Sequence, residues 1–477
     1  MTKWQDSVAA AAFEFYEDLE RCGFQPCGSG LIGKVDGATS PILVRIVIPD
    51  GFPYLPPIAF PPNDFPRSWH RGTDGAMCLY GADGRENLPW SRAEDFLNIV
   101  ERWLKESETG WPEDSPDLDL ERYFSRSSDE PLLVYGELDS LAGCFIRLKR
   151  QGSFVRVINV ASTPINARQM RRNFVFGYVA DIGEPEIPPI NWSEIRELLP
   201  PSDAVHIENA VRKAQLDYLI LRYTRKTIRA VVALHARGIS TGISLTSVNS
   251  ASEAMETLQL RAGFSITTLH QYNVAVIGAG AVGSFLCDLL ARSGVGRLAI
   301  YDPDIVRPGN LIRHLVSRSS VGRPKPTAIK QVICDKPFNT TDVAAMPERV
   351  SSLSKATALF SQFDLVIDAT ADGSASAMLA DAARAENSRL LSVCIQEDGQ
   401  VIRVDVIPPI EGQAMPPTNP SLKESTFERH FEAGCGDPVS TTAPFAVMEA
   451  ASLAARFAMN LLTGQPIPPA GVIRDYR

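Results

Sequence analysis

Residues 271–330 read QYNVAVIGAGAVGSFLCDLLARSGVGRLAIYDPDIVRPGNLIRHLVSRSSVGRPKPTAIK. The apolar run Val274–Ile277 predicts a buried parallel strand. It runs into Gly278-Ala279-Gly280-Ala281-Val282-Gly283, a G-x-G-x-x-G turn. Ser284 to Arg292 then has helical spacing. A second apolar run, Arg297 to Tyr301, ends at Asp302. Strand, glycine turn, helix, strand and acid in this order predict a nucleotide-binding α/β unit. The glycines let backbone approach a phosphate, and the helix start offers unpaired N–H groups to the anion. Asp302 stands where an acid can bond ribose hydroxyls.

The residues that follow narrow the chemistry. Asp304, Asn310, Arg313 and Lys325 come next, then Asp372 within DLVIDATADGS. Cations suit a triphosphate whose charge must be neutralised while it is attacked. A carboxylate suits a magnesium ion. This is equipment for adenylation, whereas a nicotinamide dehydrogenase would need little beyond the glycine turn and the acid. GAGAVGS, DPDIVRPGNLIRH, VGRPKP and DATAD, in that order over about 110 residues, resemble the adenylation domain of the ubiquitin-activating and ThiF/MoeB family. The resemblance implies ATP and magnesium. Arg313 and Lys325 would sit on the phosphates, Asp302 on the ribose and Asp372 on the metal. The motif ATAD is one residue longer than the family's CTD, which leaves Asp368 as an alternative to Asp372.

Composition bounds the rest. A length of 477 residues predicts two or three domains. The net charge of -9 argues against a general nucleic-acid binder. No purely apolar run approaches the ~20 residues of a membrane span, and the N-terminus turns acidic where a signal peptide would be apolar. The eight cysteines form no C-x-x-C pair. They read as reduced thiols of a cytoplasmic protein, without the structural zinc that many members of this family carry.

Towards the N-terminus, Val8, Ala11, Ala12, Phe15 and Leu19 have helical spacing, and residues 41–48 read as a strand. GFPYLPPIAFPP follows, whose prolines confine it to a sheet edge or an ordered surface segment. Next comes a turn-rich loop around one thiol, NDFPRSWHRGTDGAMCLYGADGRENLPW. Residues 91–105 return to a helix, with Ser91 as the expected N-cap. This order resembles a ubiquitin-conjugating domain over about residues 5–110, with FPYLPP, GAMCLY and LPWS as the matching pieces. The resemblance makes Cys78 a nucleophile. The family's His-Pro-Asn tripeptide, whose asparagine is thought to stabilise the oxyanion, is absent. His70 is followed by Arg71 and Gly72, so His70 either stands in or shapes the loop.

The acidic stretch 106–121 reads as a linker. Beyond it, four strand-like runs, a helical region near 193–222 and a strand at 228–234 form an α+β region without assignable chemistry. Its basic clusters, Arg168, Arg171 and Arg172, then Arg222, Arg225, Lys226 and Arg229, read as solvated faces or dimer contacts. A helix over 251–262 precedes the nucleotide strand. After DATAD the β/α alternation continues to a last helix, Ala443 to Leu462. Cys435 lies shortly before that helix, where the activating family delivers its catalytic cysteine, and a helix N-terminus lowers a thiol pKa. Cys394 competes but sits inside an apolar strand pattern.

The expected architecture is therefore α/β and multidomain. Residues 1–120 would form a ubiquitin-conjugating-like α+β domain, 121–250 a middle α+β region, and 251–477 a Rossmann-like adenylation domain. A conjugating domain fused ahead of an activating domain resembles the two-in-one enzymes of bacterial conjugation operons, including the antiphage CBASS systems. The resemblance implies a homodimer. It also implies that a ubiquitin-like or cGAS-like nucleotidyltransferase protein is adenylated at its C-terminus, passed to Cys435, then to Cys78, then to a target amine. A sulfur-carrier activator of the ThiF/MoeB kind, a nicotinamide oxidoreductase and a catalytically silent scaffold remain as alternatives.

Overall fold

The computed structural model describes residues 3–81, 87–111, 119–126, 130–161, 174–263, 266–337, 339–417 and 440–477. The chain divides into two compact units, Met1–Ala254 and Met255–Arg477.

The first unit begins with α1 (Lys3–Arg21) and the strands β1 (Gln25–Cys27), β2 (Gly30–Asp36), β3 (Pro41–Val47) and β4 (Ile58–Phe60), followed by α2 (Ala93–Thr109). The strands pair in chain order as an antiparallel meander. Alternate residues Leu31 and Val35 of β2, and Val44 and Ile46 of β3, turn inward against Phe15 and Leu19 of α1 and Phe96, Val100 and Trp103 of α2. β4 is the edge strand that the prolines require. The N-cap of α2 is Arg92, one residue after the expected Ser91, and no side chain caps it; Glu94 and Asp95 occupy its acidic first turn.

The same unit then builds β5 (Leu132–Tyr135), β6 (Cys144–Gln151), β7 (Phe154–Val160) and β8 (Phe174–Asp181), then α3 (Trp192–Leu198) and α4 (Pro201–Arg212). It ends with β9 (Tyr218–Arg225), β10 (Ile228–Ile239), β11 (Gly242–Val248) and β12 (Ser250–Ser252). These strands form one eight-stranded sheet, in the order β11-β10-β9-β8-β6-β7-β5-β12. The helical region expected near 193–222 is thus two short helices and a strand. Pro200 and Pro201 end one helix and open the next. β9 is buried on both faces, so it lacks the alternation that marks a half-buried strand. The helix expected over 251–262 is also shorter, since Ser250–Ser252 pairs with β5 and only Met255–Leu260 is helical. Among the basic residues of this region, Arg222 lies 2.8 Å from Asp139 and 3.6 Å from Asp181, and Arg229 lies 2.8 Å from Asp139. Arg168, Arg171 and Arg172 fall outside the described residues.

The two sheets of this unit are joined by a side chain from the loop after β4. Trp69 is buried in the core of the second sheet. Its indole N–H donates to the Pro185 carbonyl at 3.1 Å, and its ring stacks on Tyr223 at 5.9 Å. The Arg225 guanidinium lies over the ring at 4.6 Å, a cation–π contact.

The second unit contains α5 (Met255–Leu260), α6 (Ile266–Leu269), β13 (Asn273–Ile277), α7 (Ala281–Arg292), β14 (Arg297–Tyr301), α8 (Lys325–Cys334) and β15 (Asp342–Met346). It continues with α9 (Leu353–Gln362), β16 (Leu365–Asp368), α10 (Gly373–Ala385), β17 (Leu390–Gln396), β18 (Val401–Ile407), α11 (Pro444–Thr463) and β19 (Gly471–Asp475). The sheet order is β15-β14-β13-β16-β17-β18-β19. The first five strands are parallel and the last two antiparallel. Helices cover both faces: α7, α8 and α11 lie on one, α9 and α10 on the other. Strand order reverses between β13 and β16, which opens a crevice at their carboxyl ends. By length and composition α11 could cross a bilayer. Alanines spaced along it let it pack closely, and Val447, Leu453, Phe457 and Leu462 are buried in this core.

Candidate functional site

The crevice at the β13/β16 reversal holds a cavity of about 480 Å³. The glycine turn forms its floor. Gly278 has φ +98, and a Cβ there would lie 2.7 Å from the Ala369 carbonyl, so only glycine fits. A Cβ on Gly283 would strike the Gly278 carbonyl oxygen at 1.9 Å, so that glycine seats α7 against the turn and does not line the cavity. Gly280 differs from both. It lines the cavity, and a Cβ there would project into open space. A phosphate could approach this bare backbone beside the N-terminus of α7.

The acids have distinct tasks. Asp302 is buried, and its two carboxylate oxygens accept the amides of Ala279 at 2.7 Å and Asp304 at 2.8 Å. It therefore locks the glycine turn to the end of β14 while still lining the cavity. Asp368 is 1% exposed. It accepts from the Thr370 amide and hydroxyl, the Ser376 hydroxyl and the Ser392 hydroxyl, at 2.5–3.1 Å. Those four bonds fill its carboxylate. Asp372 is exposed and lines the cavity. One of its oxygens caps α10 through the Ser374 and Ala375 amides, and the other is engaged by no hydrogen bond among the described residues. Of the two acids, only Asp372 has an oxygen to offer a cation. The additional residue of ATAD is taken up by Ala371 in the left-handed region, φ 55.

Lys325 is the first residue of α8 and reaches into the cavity. Its amide donates to the Asp304 carbonyl at 2.9 Å, and its ammonium lies 2.8 Å from the Asp304 carboxylate and 3.9 Å from Asp302. Asn310 and Arg313 are not among the cavity's lining residues. The Asn310 side chain accepts the Arg307 amide at 2.9 Å and shapes a short 3-10 turn. Arg313 donates to the Ser440 carbonyl at 3.0 Å and to the Ser440 hydroxyl at 3.1 Å. It thereby ties down the chain just ahead of α11. Between Arg313 and Lys325, His314 is buried. Burial and the two cations beside it push its pKa down to about 4, so it is neutral near pH 7.

Glu348, Arg349 and Ser351 also line the cavity, and sequence reasoning missed them. They follow β15, and the signal was available. In a parallel sheet, the residues just after each strand face the crevice.

Cys78 is half-buried in the first unit. Its loop is fixed from several sides. Arg71 and Met77 form an antiparallel bridge, and the Cys78 amide donates to the His70 carbonyl at 2.9 Å. That carbonyl also accepts the Trp103 indole N–H at 3.2 Å, and the His70 ring stacks on Trp111 at 3.7 Å. Arg71 crosses the loop to the carbonyls of Phe65, Pro62 and Gly75. Cys435 lies outside the described residues, as do residues 112–118 of the segment read as a linker; its first four residues, 106–109, are instead the last turn of α2, and Leu120–Tyr123 is a 3-10 turn. Cys394 is half-buried on β17, where burial raises its pKa, consistent with a core thiol.

The second unit is thus an α/β domain with a charged crevice at its strand reversal. Residues 255–474 match the ThiF family. An uncharacterised protein of Sinorhizobium fredii, y4qC, is 25% identical over 415 residues, which cover 75% of this chain and 69% of that protein. The ATP-dependent ubiquitin transferase-like protein Cap2 of Escherichia coli is 30% identical over 106 residues. That stretch covers 21% of this chain and only 18% of Cap2. A solved structure of E. coli MccB with ATP covers 44% of this chain and 60% of its own, at 16% identity and a TM-score of 0.32, too loose a likeness to place any residue.

Proposed function

We propose that the second unit adenylates the C-terminal carboxylate of a ubiquitin-like or cGAS-like protein with ATP. The single observation that carries this reading is the convergence of Gly280, Lys325 and Asp372 on one crevice at the strand reversal of a ThiF-family domain. The bare Gly280 backbone accommodates phosphate. Lys325 neutralises charge on it. Asp372, with one oxygen open, fits a magnesium ion, which supplies further charge neutralisation when bound. The substrate carboxylate attacks the α-phosphorus, pyrophosphate leaves, and an acyl-adenylate remains. Cys435 then displaces AMP to give a thioester, Cys78 takes the acyl group, and an amine on a target protein receives it. Thioesters keep the carboxyl activated after AMP has gone. The meander sheet, the edge strand with its prolines and the braced Cys78 loop support a conjugating-like role for the first part of the chain. We propose further that the protein works in the cytoplasm as a homodimer, in a bacterial antiphage system.

ATP–pyrophosphate exchange in the presence of the protein substrate tests this reading. Lys325→Ala should cut exchange on the order of 10²–10³-fold, the usual loss for one preorganised charge partner. Asp372→Asn should raise the magnesium concentration needed. Arg313→Ala should cost less than Lys325→Ala, since Arg313 is bound to Ser440. Exchange unchanged by Lys325→Ala sinks the assignment.

A further inference from the structure

We propose that the Tyr80 hydroxyl donates the hydrogen bond to the acyl carbonyl oxygen on Cys78, the task for which no asparagine follows His70. This rests on reading Cys78 as an acyl carrier. The observation behind it is a polar atom out of place. The Tyr80 hydroxyl is buried and has no hydrogen-bond partner among the described residues. Such a group is a net cost to folding that a phenylalanine of the same shape would avoid.

The chain keeps it near the thiol. Tyr80 follows Cys78 by two residues, a separation of at most ~7 Å along the backbone. Its ring packs edge-on to Trp90 at 4.7 Å. Trp90 is fully buried, and its indole N–H is fixed on the Pro53 carbonyl at 2.7 Å. The phenol is thus held by a rigid wall, while the thiol's backbone is held by His70. Burial raises the Tyr80 pKa well above the ordinary phenol value, so the group stays protonated and donates. The His70 ring, stacked face to face on Trp111, serves the shape of the loop.

The step balances without Tyr80 losing its proton. The amine nitrogen attacks the carbonyl carbon, and the carbonyl π electrons move to oxygen, where Tyr80 donates. The C–Sγ bond then breaks as the carbonyl reforms. The proton released by the amine ends on the departing thiolate. One donor of this kind changes a rate by about 10²-fold.

The test uses the full chain and a small probe. Cys78 is acylated by exchange with an N-acetylglycyl thioester of mercaptoethanesulfonate. Its discharge to free lysine is followed by peptide mass spectrometry, with the exposed Cys22 as an internal reference. Tyr80→Phe should slow discharge from Cys78 about 10²-fold, leave Cys22 unchanged, and keep or raise the melting temperature. Fast discharge in Tyr80→Phe overturns the role of Tyr80 alone, as does a loss of rate matched by a fall in melting temperature. Discharge from wild-type Cys78 no faster than from Cys22 overturns the carrier reading of Cys78 as well.

Discussion

Asp302 holds the Ala279 amide at 2.7 Å across the mouth of the glycine turn. This acid therefore builds the crevice as well as facing it. Asp302→Ala should strand two backbone amides, of Ala279 and Asp304, each worth about 1–3 kcal/mol if left unpaired. The second unit should lose roughly 2–4 kcal/mol in urea unfolding, allowing for some rescue by water. Asp302→Asn retains the shape and should lose less, while still weakening ATP binding by calorimetry. An unchanged urea midpoint in Asp302→Ala would show that the turn does not depend on this carboxylate.

The second prediction concerns acid. The His314 pKa falls from 6.5 to about 4 on folding, through burial first and then the nearby Lys325 and Arg313. The folded protein keeps this imidazole neutral where the unfolded chain would protonate it. Its contribution to stability is therefore fully present above pH 6.5 and is lost as pH falls from 6.5 towards 4. The full shift corresponds to about 3 kcal/mol as an upper bound. His314→Gln should flatten the stability profile of the second unit in that window and leave it unchanged above pH 7. Chemical unfolding at stepped pH values measures both. A His314→Gln profile as steep as wild type means that other groups cause the acid loss.

The sequence made the second unit legible because its elements are local and ordered. An apolar strand, a glycine turn, a helix and an acid at fixed spacing leave few other folds, and β13, α7 and β14 lie where the pattern put them. What it hid were tertiary choices. Asp368 and Asp372 are four residues apart in one motif, and only packing shows that Ser376 and Ser392 fill the first and leave the second open. Arg313 carries the right charge for a phosphate, yet its partner is Ser440, 127 residues away. Glu348 and Arg349 were missed because β15, the strand they follow, is short and only partly buried and so did not stand out. The same holds for Trp69, which reads as a loop residue and serves as core for a sheet formed much later in the chain.

Ala371 gives a third prediction. Its φ of 55 lies where an L-residue other than glycine carries strain of roughly 1–2 kcal/mol. Glycine removes that strain but adds about 0.5–1 kcal/mol of unfolded-state entropy. Ala371→Gly should therefore raise stability by up to about 1 kcal/mol. Thr370 and Asp372 flank this residue and both line the cavity, so a looser turn should also weaken the dependence of exchange on magnesium. A fall in melting temperature would show that the left-handed geometry is not strained here.

The last prediction tests the order of the relay. Cys78 and the crevice at the strand reversal belong to different units of the chain, whereas Cys435 belongs in sequence to the unit that contains the crevice. The acyl group should therefore reach Cys435 first. Fusion raises the effective concentration of the second thiol if the chain can span the gap, and transfer to the partner subunit of a dimer would serve as well. Arg313 adds a structural reason to expect Cys435 as the first acceptor. It anchors Ser440, five residues beyond that thiol, to the domain that holds Lys325. With ATP and the protein substrate, Cys78→Ala should accumulate a reductant-sensitive adduct on Cys435. Cys435→Ala should show none on Cys78, while its ATP–pyrophosphate exchange stays largely intact, since adenylation needs the charges and not the thiols. Non-reducing gels of the two variants decide the matter. A thioester on Cys78 in the Cys435→Ala protein means direct loading from the adenylate, and removes Cys435 from the mechanism.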